Sequence, residues 1–330
     1  MSMGTQLLAI GEALIDWIPE QIGVAIRRVD SFHPVVGGAP ANVCGAFARL
    51  GGRAKMITQL GQDPFGDKII DEFKRYHIDC DAVLRTDRAN TSFAFVALDA
   101  AGGREFSFFR NPGADMLLEP EQVLEEWFDD GFALHFCSVS LGDFPMREAH
   151  KRAISIARQK GMMISFDPNL RRALWNDDDA LKSAVREFLP LADVLKVSDE
   201  ELFFLTGTSC AKEAKDQLFA GNVKLILCTG GAKGAQAFTR SESAYAPGVR
   251  VKAIDTTGAG DAFIGAFLYK LYENRIGCGQ IADLERGQLE SFLQFSNRYC
   301  AHSVQKHGAL ASYPTTAELT GKGEESENKR

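Results

Sequence analysis

Short apolar runs alternate along most of the chain with segments whose apolar residues recur at helical spacing. The runs are continuously apolar, which is typical of strands buried on both faces of a parallel sheet. Such strands are predicted at 7–11, 54–60, 132–137, 162–166, 194–197 and 225–229. Helices are predicted at 39–50, 65–76, 145–160, 177–188 and 200–206. Because strands and helices alternate at this spacing, we expect repeated βαβ units and an α/β sandwich.

Two segments, at about 17–36 and 91–110, do not fit the βαβ order. The second predicts a hairpin, because two strand-like runs flank a turn that contains Gly102-Gly103. Strands outside the βαβ units indicate a small separate sheet, which is either a lid or an edge hairpin without motion. We therefore expect one domain over residues 1–315, with these two segments inserted. Residues 316–330 are almost wholly polar, and we expect them to form a disordered tail.

The composition is that of a globular protein: the chain has 330 residues, of which 45% are hydrophobic and 25% are charged. A net charge of −7 argues against a nucleic-acid-binding protein, which would need a basic face. The N-terminus lacks the basic region of a signal peptide, and no apolar run is long enough to span a membrane. The seven cysteines show no C-x-x-C spacing and are expected to be free thiols. We therefore expect a cytoplasmic protein without membrane or nucleic-acid partners.

The most informative motif is the run Asp-Thr-Thr-Gly-Ala-Gly-Asp-Ala-Phe at 255–263. Gly258 and Gly260 permit a tight turn, and a helical pattern follows them. The free N–H groups and the dipole at such a helix start form an anion site that suits a phosphoryl group. Asp261 lies at the same place, and a carboxylate beside an anion site is what phosphoryl transfer to a hydroxyl requires. The simpler alternative is that Gly-x-Gly-Asp only begins a helix.

A second glycine pair, Gly37-Gly38, precedes a predicted helix that has Pro40 in its first turn. Asn42 lies one turn into that helix. The segment is therefore either an ordinary helix start or a place where a ligand approaches the backbone. Asp16 follows the first predicted strand, at the edge where open α/β sheets bind their ligands.

Two further loops follow predicted strands. The segment 229–234 is rich in glycine and is either a nucleotide-binding loop or a tight turn. It is not a P-loop, because the chain has no G-x-x-x-x-G-K-[ST] sequence. The other loop leads into a helix at Ser198, and Glu201 lies at the spacing that forms a capping box with it.

These motifs together resemble those of one known family. The run at 255–261, and Gly37-Gly38 with Asn42, are similar to the two signatures of the ribokinase-like (PfkB) carbohydrate kinase family. The resemblance spans about residues 7–314. It implies a three-layer α/β/α sandwich with a mostly parallel central sheet and a small β-sheet lid. It also implies that Asp261 is the general base and that the anion hole is the backbone of Gly258, Ala259 and Gly260.

The same resemblance implies ATP, Mg²⁺ and K⁺ as cofactors, and it assigns the remaining site residues. The sugar-binding residues would be Asp16, Gly37, Gly38, Asn42, Arg110 and Arg171. The nucleotide-binding residues would be Lys196, Ser198, Thr229, Gly231, Gly234 and Asn297, with Ser198 in place of the family's asparagine. Glu201 would position Mg²⁺ through water, because Mg²⁺ prefers water and phosphate oxygens with few carboxylates. Backbone carbonyls would bind the monovalent cation, at Asp255, Thr257, Ser303, Lys306, Gly308 and Ser312.

Within the family, the fructokinases are the nearest subgroup, on residues 11–16, 103–110 and 114–118. Residues 167–171 and 174–175 add support, although the sugar-acid kinases of the family share them. The resemblance thus implies ATP-dependent phosphorylation of the 6-hydroxyl of fructose, by a chain that pairs into a homodimer through its lid. A guanidinium binds carboxylates as well as neutral hydroxyls, so Arg110 and Arg171 keep a kinase of 2-keto-3-deoxygluconate or another sugar as an alternative. A catalytically silent sugar-binding or regulatory subunit is the alternative of another class. A Rossmann dehydrogenase is disfavoured, because no G-x-G-x-x-G follows the first strand.

Overall fold

A mostly parallel sheet forms the centre of the structure, a computed structural model that describes residues 3–21, 23–98 and 104–320. The strands of these residues are β1 (Gln6–Ile10), β2 (Leu14–Pro19), β3 (Phe32–Gly37), β4 (Arg53–Gly61), β5 (Ile78–Asp79), β6 (Val83–Thr86), β7 (Phe93–Leu98), β8 (Arg104–Phe109), β9 (Gly131–Cys137), β10 (Met163–Asp167), β11 (Val194–Ser198), β12 (Leu225–Thr229), β13 (Ala235–Phe238) and β14 (Ser243–Ala246). The α-helices are α1 (Ala39–Arg49), α2 (Pro64–Arg75), α3 (Met146–Gln159), α4 (Asp178–Phe188), α5 (Asp199–Thr206), α6 (Ala211–Leu218), α7 (Ala259–Glu273), α8 (Arg286–Ser303) and α9 (Thr316–Leu319).

The strands of the central sheet lie in the order β14-β13-β12-β11-β10-β9-β1-β4-β5, and β6 also pairs with β4. The pairings from β12 to β5 are parallel, whereas β13 and β14 form an antiparallel edge. Strand β1 lies between β9 and β4, so the strand order reverses beside it. Ligands of open α/β sheets bind at the carboxyl end of the strands next to such a reversal. The segment that follows β1 therefore lies at the expected binding crevice.

Side chains of β1 alternate between two hydrophobic cores, one on each face of the central sheet. Leu7 and Ala9 pack with apolar residues of α1, α7 and α8. Leu8 and Ile10 pack with apolar residues of α3 and α4. Because helices cover both faces, the strands are apolar without alternation, as their sequence pattern indicates. The predicted three-layer α/β/α sandwich is thus confirmed.

Every strand and helix predicted above from the hydrophobic pattern is present, and each observed end lies within one residue of the predicted end. The pattern did not predict β13 and β14, which have four residues each and both include exposed positions. Their register is set by pairing with β12, which is a contact between segments rather than a local propensity.

A second, smaller sheet has the strand order β3-β2-β7-β8. Strands β7 and β8 pair in antiparallel register, from Phe93 opposite Phe109 to Leu98 opposite Arg104, which confirms the predicted hairpin. The predicted Gly102-Gly103 turn lies outside the described residues. The sheet carries an aromatic cluster, in which the ring of Trp17 stacks on Phe95 with 5.7 Å between centroids.

The chain remains folded beyond the end of the predicted kinase domain. Residues 316–319 of the predicted disordered tail form α9, whose start is capped by the hydroxyl of Thr315. Arg49 holds this helix through an ion pair of 3.1 Å with Glu318, and the hydroxyl of Thr316 donates a hydrogen bond to the carbonyl of Leu50. These tertiary contacts offset the weak local preference of a polar segment. Residues 321–330 lie outside the described part of the chain. Among the described residues, none of the helices combines the length and the apolar character of a membrane-spanning segment.

Candidate active site

The first turns of α1 and α7 meet at the carboxyl end of β1. Gly38 precedes α1 with φ 110° and Gly258 precedes α7 with φ 72°, backbone conformations that favour glycine. Asn42 of α1 and Asp261 of α7 are both buried, and Asn42 Nδ2 donates a 2.8 Å hydrogen bond to Asp261 Oδ2. Asn169 Nδ2 donates a second, longer bond of 3.3 Å to Asp261 Oδ1. The two glycine motifs of the sequence therefore build one site.

Burial raises the pKa of Asp261 above its ordinary value, while the hydrogen bond from Asn42 and the charge of Arg171 act in the opposite direction. A carboxylate with a raised pKa accepts a proton more readily than a solvated aspartate does. General bases are tuned in this way, towards the pH at which they operate. The environment of Asp261 therefore suits the role of base that the sequence predicts.

A small cavity lies in front of Asp261. Its lining includes five residues of the predicted sugar site and anion hole, namely Asp16, Gly38, Asn42, Arg171 and Gly258. Gly37 does not line this cavity but supports it, because a Cβ on Gly37 would lie only 2.0 Å from Asp16 Oδ2. The carboxylate of Asp16 thus occupies the space that a larger residue at position 37 would fill.

Several lining residues were not predicted from the sequence. Glu12 is buried, and its carboxylate accepts hydrogen bonds from the Ala39 N–H at 3.1 Å and from the Ser140 hydroxyl at 3.0 Å. Burial raises the pKa of Glu12, and the charge of Arg110 opposes that effect. Glu12 therefore links the start of α1 to the turn that follows β9. Its only sequence signal is its place directly after the first strand.

The structure does not bring Arg110 to this cavity. Its Nε donates to Asp115 Oδ2 at 2.8 Å, a second nitrogen pairs with the same oxygen, and Nη1 donates to the carbonyl of Val139 at 3.2 Å. Both members of this ion pair are almost fully buried, at 3% and 1% exposure of their side chains. Most N–H donors of Arg110 are therefore already hydrogen-bonded to groups of the protein. A direct contact with sugar remains a prediction from the resemblance.

Arg171, by contrast, lines the cavity beside Asp261. Its guanidinium lies 5.9 Å from the centre of the Phe106 ring, which belongs to β8 of the second sheet. Phe106 and Phe108 both line the cavity, while Phe109 on the same strand contacts Phe95 in the aromatic cluster. One side of the second sheet therefore covers the cavity.

A larger cavity of about 570 Å³ lies on the other side of the start of α7. Its lining includes the predicted nucleotide residues Thr229, Gly231, Gly234 and Asn297, together with the exposed apolar residues Val249 and Val251. Asn297 Nδ2 donates to the carbonyls of Ala246 at 3.1 Å and Pro247 at 3.0 Å, so this amide also holds the loop that forms the cavity wall.

The start of α7 separates the two cavities. Gly258 and Asp261 line the small cavity, whereas Ala259 and Gly260 line the large one. A group bound at the N–H groups of this turn can therefore be approached from both sides. This is the arrangement that in-line transfer between two bound molecules requires.

The predicted magnesium residue lies near this turn. Glu201 is 8% exposed, and it forms the capping box that the sequence indicates: its N–H donates to Ser198 Oγ at 3.1 Å and its Oε2 accepts from Ser198 N–H at 2.8 Å. Its Oε1 accepts from the N–H of Leu170 at 2.9 Å. Each carboxylate oxygen retains lone pairs, so this environment fits a carboxylate that binds Mg²⁺ through water.

The two segments of the predicted monovalent-cation site lie together. Asp255 Oδ2 accepts a 2.9 Å hydrogen bond from the N–H of Gly308, and Asp255 Oδ1 accepts from the N–H of Thr257 at 2.8 Å. The hydroxyl of Ser312 and the N–H of Lys306 are bonded to carbonyls within the second segment. Asp255 thus joins the two segments whose backbone carbonyls the resemblance assigns to the monovalent cation, and binding of the cation remains a prediction.

A buried aspartate beside a glycine turn, with one cavity on each side of that turn, suits phosphoryl transfer to a small hydroxyl compound. The chain belongs to the pfkB family of carbohydrate kinases, whose family model matches residues 4–316. It is 39% identical over 313 residues to fructokinase-2 of Solanum habrochaites, and the match covers 94% of each chain. It is also 39% identical to fructokinase-1 of Zea mays, over 97% of this chain and 98% of the relative.

Two solved structures share the fold over nearly their whole length. The structure of a fructokinase with bound ATP from Xylella fastidiosa has a TM-score of 0.89 and 35% identity, and covers 97% of this chain and 98% of its own. The structure of a fructokinase from Vibrio cholerae with fructose, ADP and calcium ion has a TM-score of 0.84 and 34% identity, over 96% and 98% of the two chains. The expected carbohydrate kinase family and fold are thus confirmed.

Proposed function

We propose that the protein is an ATP-dependent fructokinase that phosphorylates the 6-hydroxyl of fructose. The observation that carries this proposal is the position of the Gly258–Asp261 turn between the two cavities. The names of the relatives, and the fructose, ADP and ATP bound in the solved fructokinases, support the choice of substrates.

The sugar binds in the small cavity. Asp16 accepts hydrogen bonds from its hydroxyls, and Asn42 accepts another, because Asn42 Oδ1 is buried and has no hydrogen-bond partner among the described residues. The bond from Asn42 Nδ2 to Asp261 orients the amide so that its oxygen is left for the sugar.

The transfer step follows from the placement of Asp261 and the turn. Asp261 accepts the proton of the 6-hydroxyl as the oxygen attacks the γ-phosphorus of ATP held in the large cavity. The bond from that phosphorus to the bridging oxygen breaks at the same time, and ADP leaves from the large cavity. The N–H groups at the start of α7 donate to the phosphoryl oxygens, which carry the developing charge. Mg²⁺, positioned through Glu201, would further neutralise the phosphates of the bound nucleotide.

The charges of the small cavity favour a neutral sugar over a sugar acid. Glu12, Asp16 and Asp261 line it, whereas Arg171 is its one cationic lining residue among those described. Arg110 is already paired with Asp115. A substrate carboxylate would therefore meet like charge, which disfavours 2-keto-3-deoxygluconate.

Four further properties belong to the same proposal. Mg²⁺ and K⁺ act as cofactors, which is supported by the surroundings of Glu201 and Asp255. The second sheet, over about 17–36 and 91–110, acts as a lid, which is supported by the contact of Phe106 with Arg171. Two copies pair through this lid, and the protein works in the cytoplasm, as the sequence predicts.

A sugar panel tests the proposal. Purified protein is given Mg·ATP with fructose, 2-keto-3-deoxygluconate, glucose or ribose, with and without K⁺, and ADP release is measured. We expect the highest kcat/KM for fructose and a 6-phosphate product by phosphorus NMR. Preference for the sugar acid would replace fructose by the alternative substrate. Sugar binding without ADP release would identify a silent subunit instead.

A further inference from the structure

The segment that follows α8 contacts the glycine turn at the start of α7. Tyr313 is 1% exposed, and its hydroxyl donates a 2.9 Å hydrogen bond to the carbonyl of Gly258. A Cβ on Gly258 would lie 2.5 Å from the same hydroxyl oxygen, so the phenol packs directly on this residue. The carbonyl of Gly258 also accepts a 2.7 Å bond from the N–H of Ala262. Both lone pairs of this carbonyl oxygen are therefore used.

A second side chain bonds to the next carbonyl of the turn. Cys300 of α8 lines the large cavity, and its thiol donates to the carbonyl of Ala259 at 3.2 Å. Burial raises the pKa of Cys300 to about 12 and raises the pKa of Tyr313 well above its ordinary value. Both groups therefore keep their protons near neutral pH and act as donors.

These two bonds hold the peptide groups of the proposed anion hole. The carbonyl of one residue and the N–H of the next lie in one rigid plane and point in opposite directions. A donor on the carbonyl of Gly258 therefore sets the direction of the Ala259 N–H, and a donor on the carbonyl of Ala259 sets that of the Gly260 N–H. The Ala259 N–H makes a 3.2 Å bond with the carbonyl of Thr256, at the long end of the usual range, so a phosphoryl oxygen can share it.

The hydroxyl of Tyr313 is held in place from the side of α1. The carbonyl of Tyr313 accepts a 2.9 Å bond from Nε of Arg49, the last residue of α1. The ring of Tyr313 lies 6.0 Å from the ring of Tyr299, measured between centroids. The turn of α7 is thus attached to α1 through Tyr313 as well as through the bond from Asn42 to Asp261. Donors fixed before the reaction are those that stabilise a transition state most effectively.

We propose that Tyr313 and Cys300 are positioning residues, which hold the carbonyls of the turn so that its N–H groups bind the phosphoryl group in transfer. This inference rests on the proposed phosphoryl transfer from ATP to a sugar. In that step the bond from the γ-phosphorus to the bridging oxygen of ATP breaks, and the bond from the sugar oxygen to phosphorus forms. The hydroxyl proton passes to Asp261. Tyr313 and Cys300 keep their protons and act through the backbone, because hydrogen bonds in series strengthen one another.

The first test removes only a hydroxyl, in Tyr313→Phe. Loss of a whole anion-hole donor lowers kcat by about 100- to 1,000-fold, so a change that only weakens such donors should lower kcat about tenfold. Because the effect belongs to the transition state, the KM of each substrate should change less than about twofold. ADP with aluminium fluoride, a mimic of the phosphoryl group in transfer, should bind about tenfold more weakly in the presence of sugar, with the Kd of ADP alone unchanged. Near-normal kcat, or a rise in KM as large as the fall in kcat, would overturn the role of Tyr313.

The simpler role of Tyr313 is structural, because a buried phenol needs an acceptor in any case. Tyr299→Phe is the matched control, since the hydroxyl of Tyr299 is likewise buried and donates at 3.2 Å to the carbonyl of Ala46 within α1. Both variants lose one bond from a phenol to a helix carbonyl, so we expect similar midpoints in urea unfolding. The fall in kcat should occur in Tyr313→Phe alone. Equal kcat values in the two variants would contradict the proposal.

The second test concerns the thiol. Cys300→Ala removes the donor, whereas Cys300→Ser keeps a donor on a side chain of similar size. A thiol is a weak donor, so we expect kcat to fall about threefold in Cys300→Ala and to recover in Cys300→Ser. Both variants change the wall of the large cavity in a similar way, so the KM for ATP should not distinguish them. Equal kcat values for the serine and alanine variants would overturn the role of Cys300.

The sugar panel separates this inference from the proposed function. If the wild type prefers another sugar, the fructose assignment fails, while the ratio of variant to wild-type kcat on that sugar still tests Tyr313 and Cys300. If the variants match the wild type on fructose, this inference fails and the fructokinase assignment stands. If the wild type turns over no sugar, both conclusions fall.

Discussion

The amide of Asn42 donates a 2.8 Å hydrogen bond to the carboxylate of Asp261, and the two residues are 219 positions apart in the chain. The bond joins the first turns of α1 and α7, which carry the two glycine motifs of the sequence. It orients Asn42 towards the proposed sugar cavity and stabilises the ionised form of Asp261. One contact therefore links the proposed sugar cavity to the protonation state of the proposed base.

Replacing the base should abolish turnover without unfolding the protein. We expect Asp261→Asn to lower kcat by several orders of magnitude, because the attacking hydroxyl loses its proton acceptor. Loss of general base catalysis alone accounts for about 100- to 10,000-fold. Calorimetry should show that sugar and ADP still bind, and circular dichroism that the fold is retained. Asp283→Asn, at an exposed position, is the control. A kcat close to that of wild type would contradict the assignment of Asp261.

The pH dependence of the rate should report the raised pKa of Asp261. The base must be ionised, so kcat falls as the pH drops below the pKa of Asp261. An ordinary aspartate has a pKa of about 4, and burial moves the fall in kcat to a pH above that value. Asn42→Ala removes a hydrogen bond that lowers the pKa, so the fall in kcat should move to higher pH. The measurement is log kcat against pH at saturating sugar for both proteins. A fall in kcat that moves to lower pH in Asn42→Ala would contradict the conclusion that the Asn42 hydrogen bond lowers the pKa of Asp261.

Adding one methyl group at position 37 should weaken sugar binding selectively. A Cβ there would lie 2.0 Å from Asp16 Oδ2, so Gly37→Ala must displace the carboxylate that we propose to anchor the sugar. We expect the KM for the sugar to rise about tenfold, which corresponds to about 1.4 kcal/mol of binding free energy. The KM for ATP should change little. Gly287→Ala is the matched control, because a Cβ at that glycine meets no atom within 4 Å. Equal effects on both substrates would indicate a general disturbance of the fold.

Breaking the buried pair of Arg110 and Asp115 should destabilise the protein. Asp115→Asn leaves the guanidinium buried without its counter-charge, and such changes cost about 3–5 kcal/mol. Glu125→Gln removes a partner of Arg152 in an exposed ion pair and should cost less than about 1 kcal/mol. Urea unfolding followed by fluorescence measures both values. Similar costs for the two variants would show that burial of the Arg110 pair does not matter.

The sequence alone predicted much of the site, because its signals are local. Gly258 and Gly260 with Asp261 occupy consecutive positions, and the turn geometry that they require is a property of those residues alone. The contacts of Glu12 and Asn169 could not be found in this way. Each depends on contacts with segments that are distant in the chain, such as the bond from Asn169 to Asp261 across 92 positions.

The hydrophobic pattern by itself determined the order of strands and helices and the burial of the sheet on both faces, because period and apolar content are encoded residue by residue. Only the tertiary structure decided how the donors of Arg110 are used, which cavity each residue of the Gly258–Asp261 turn faces, and that Lys196 lies against Gly260. These properties depend on strand order and register. Packing sets both, since side chains far apart in sequence share one crevice at the carboxyl end of the sheet.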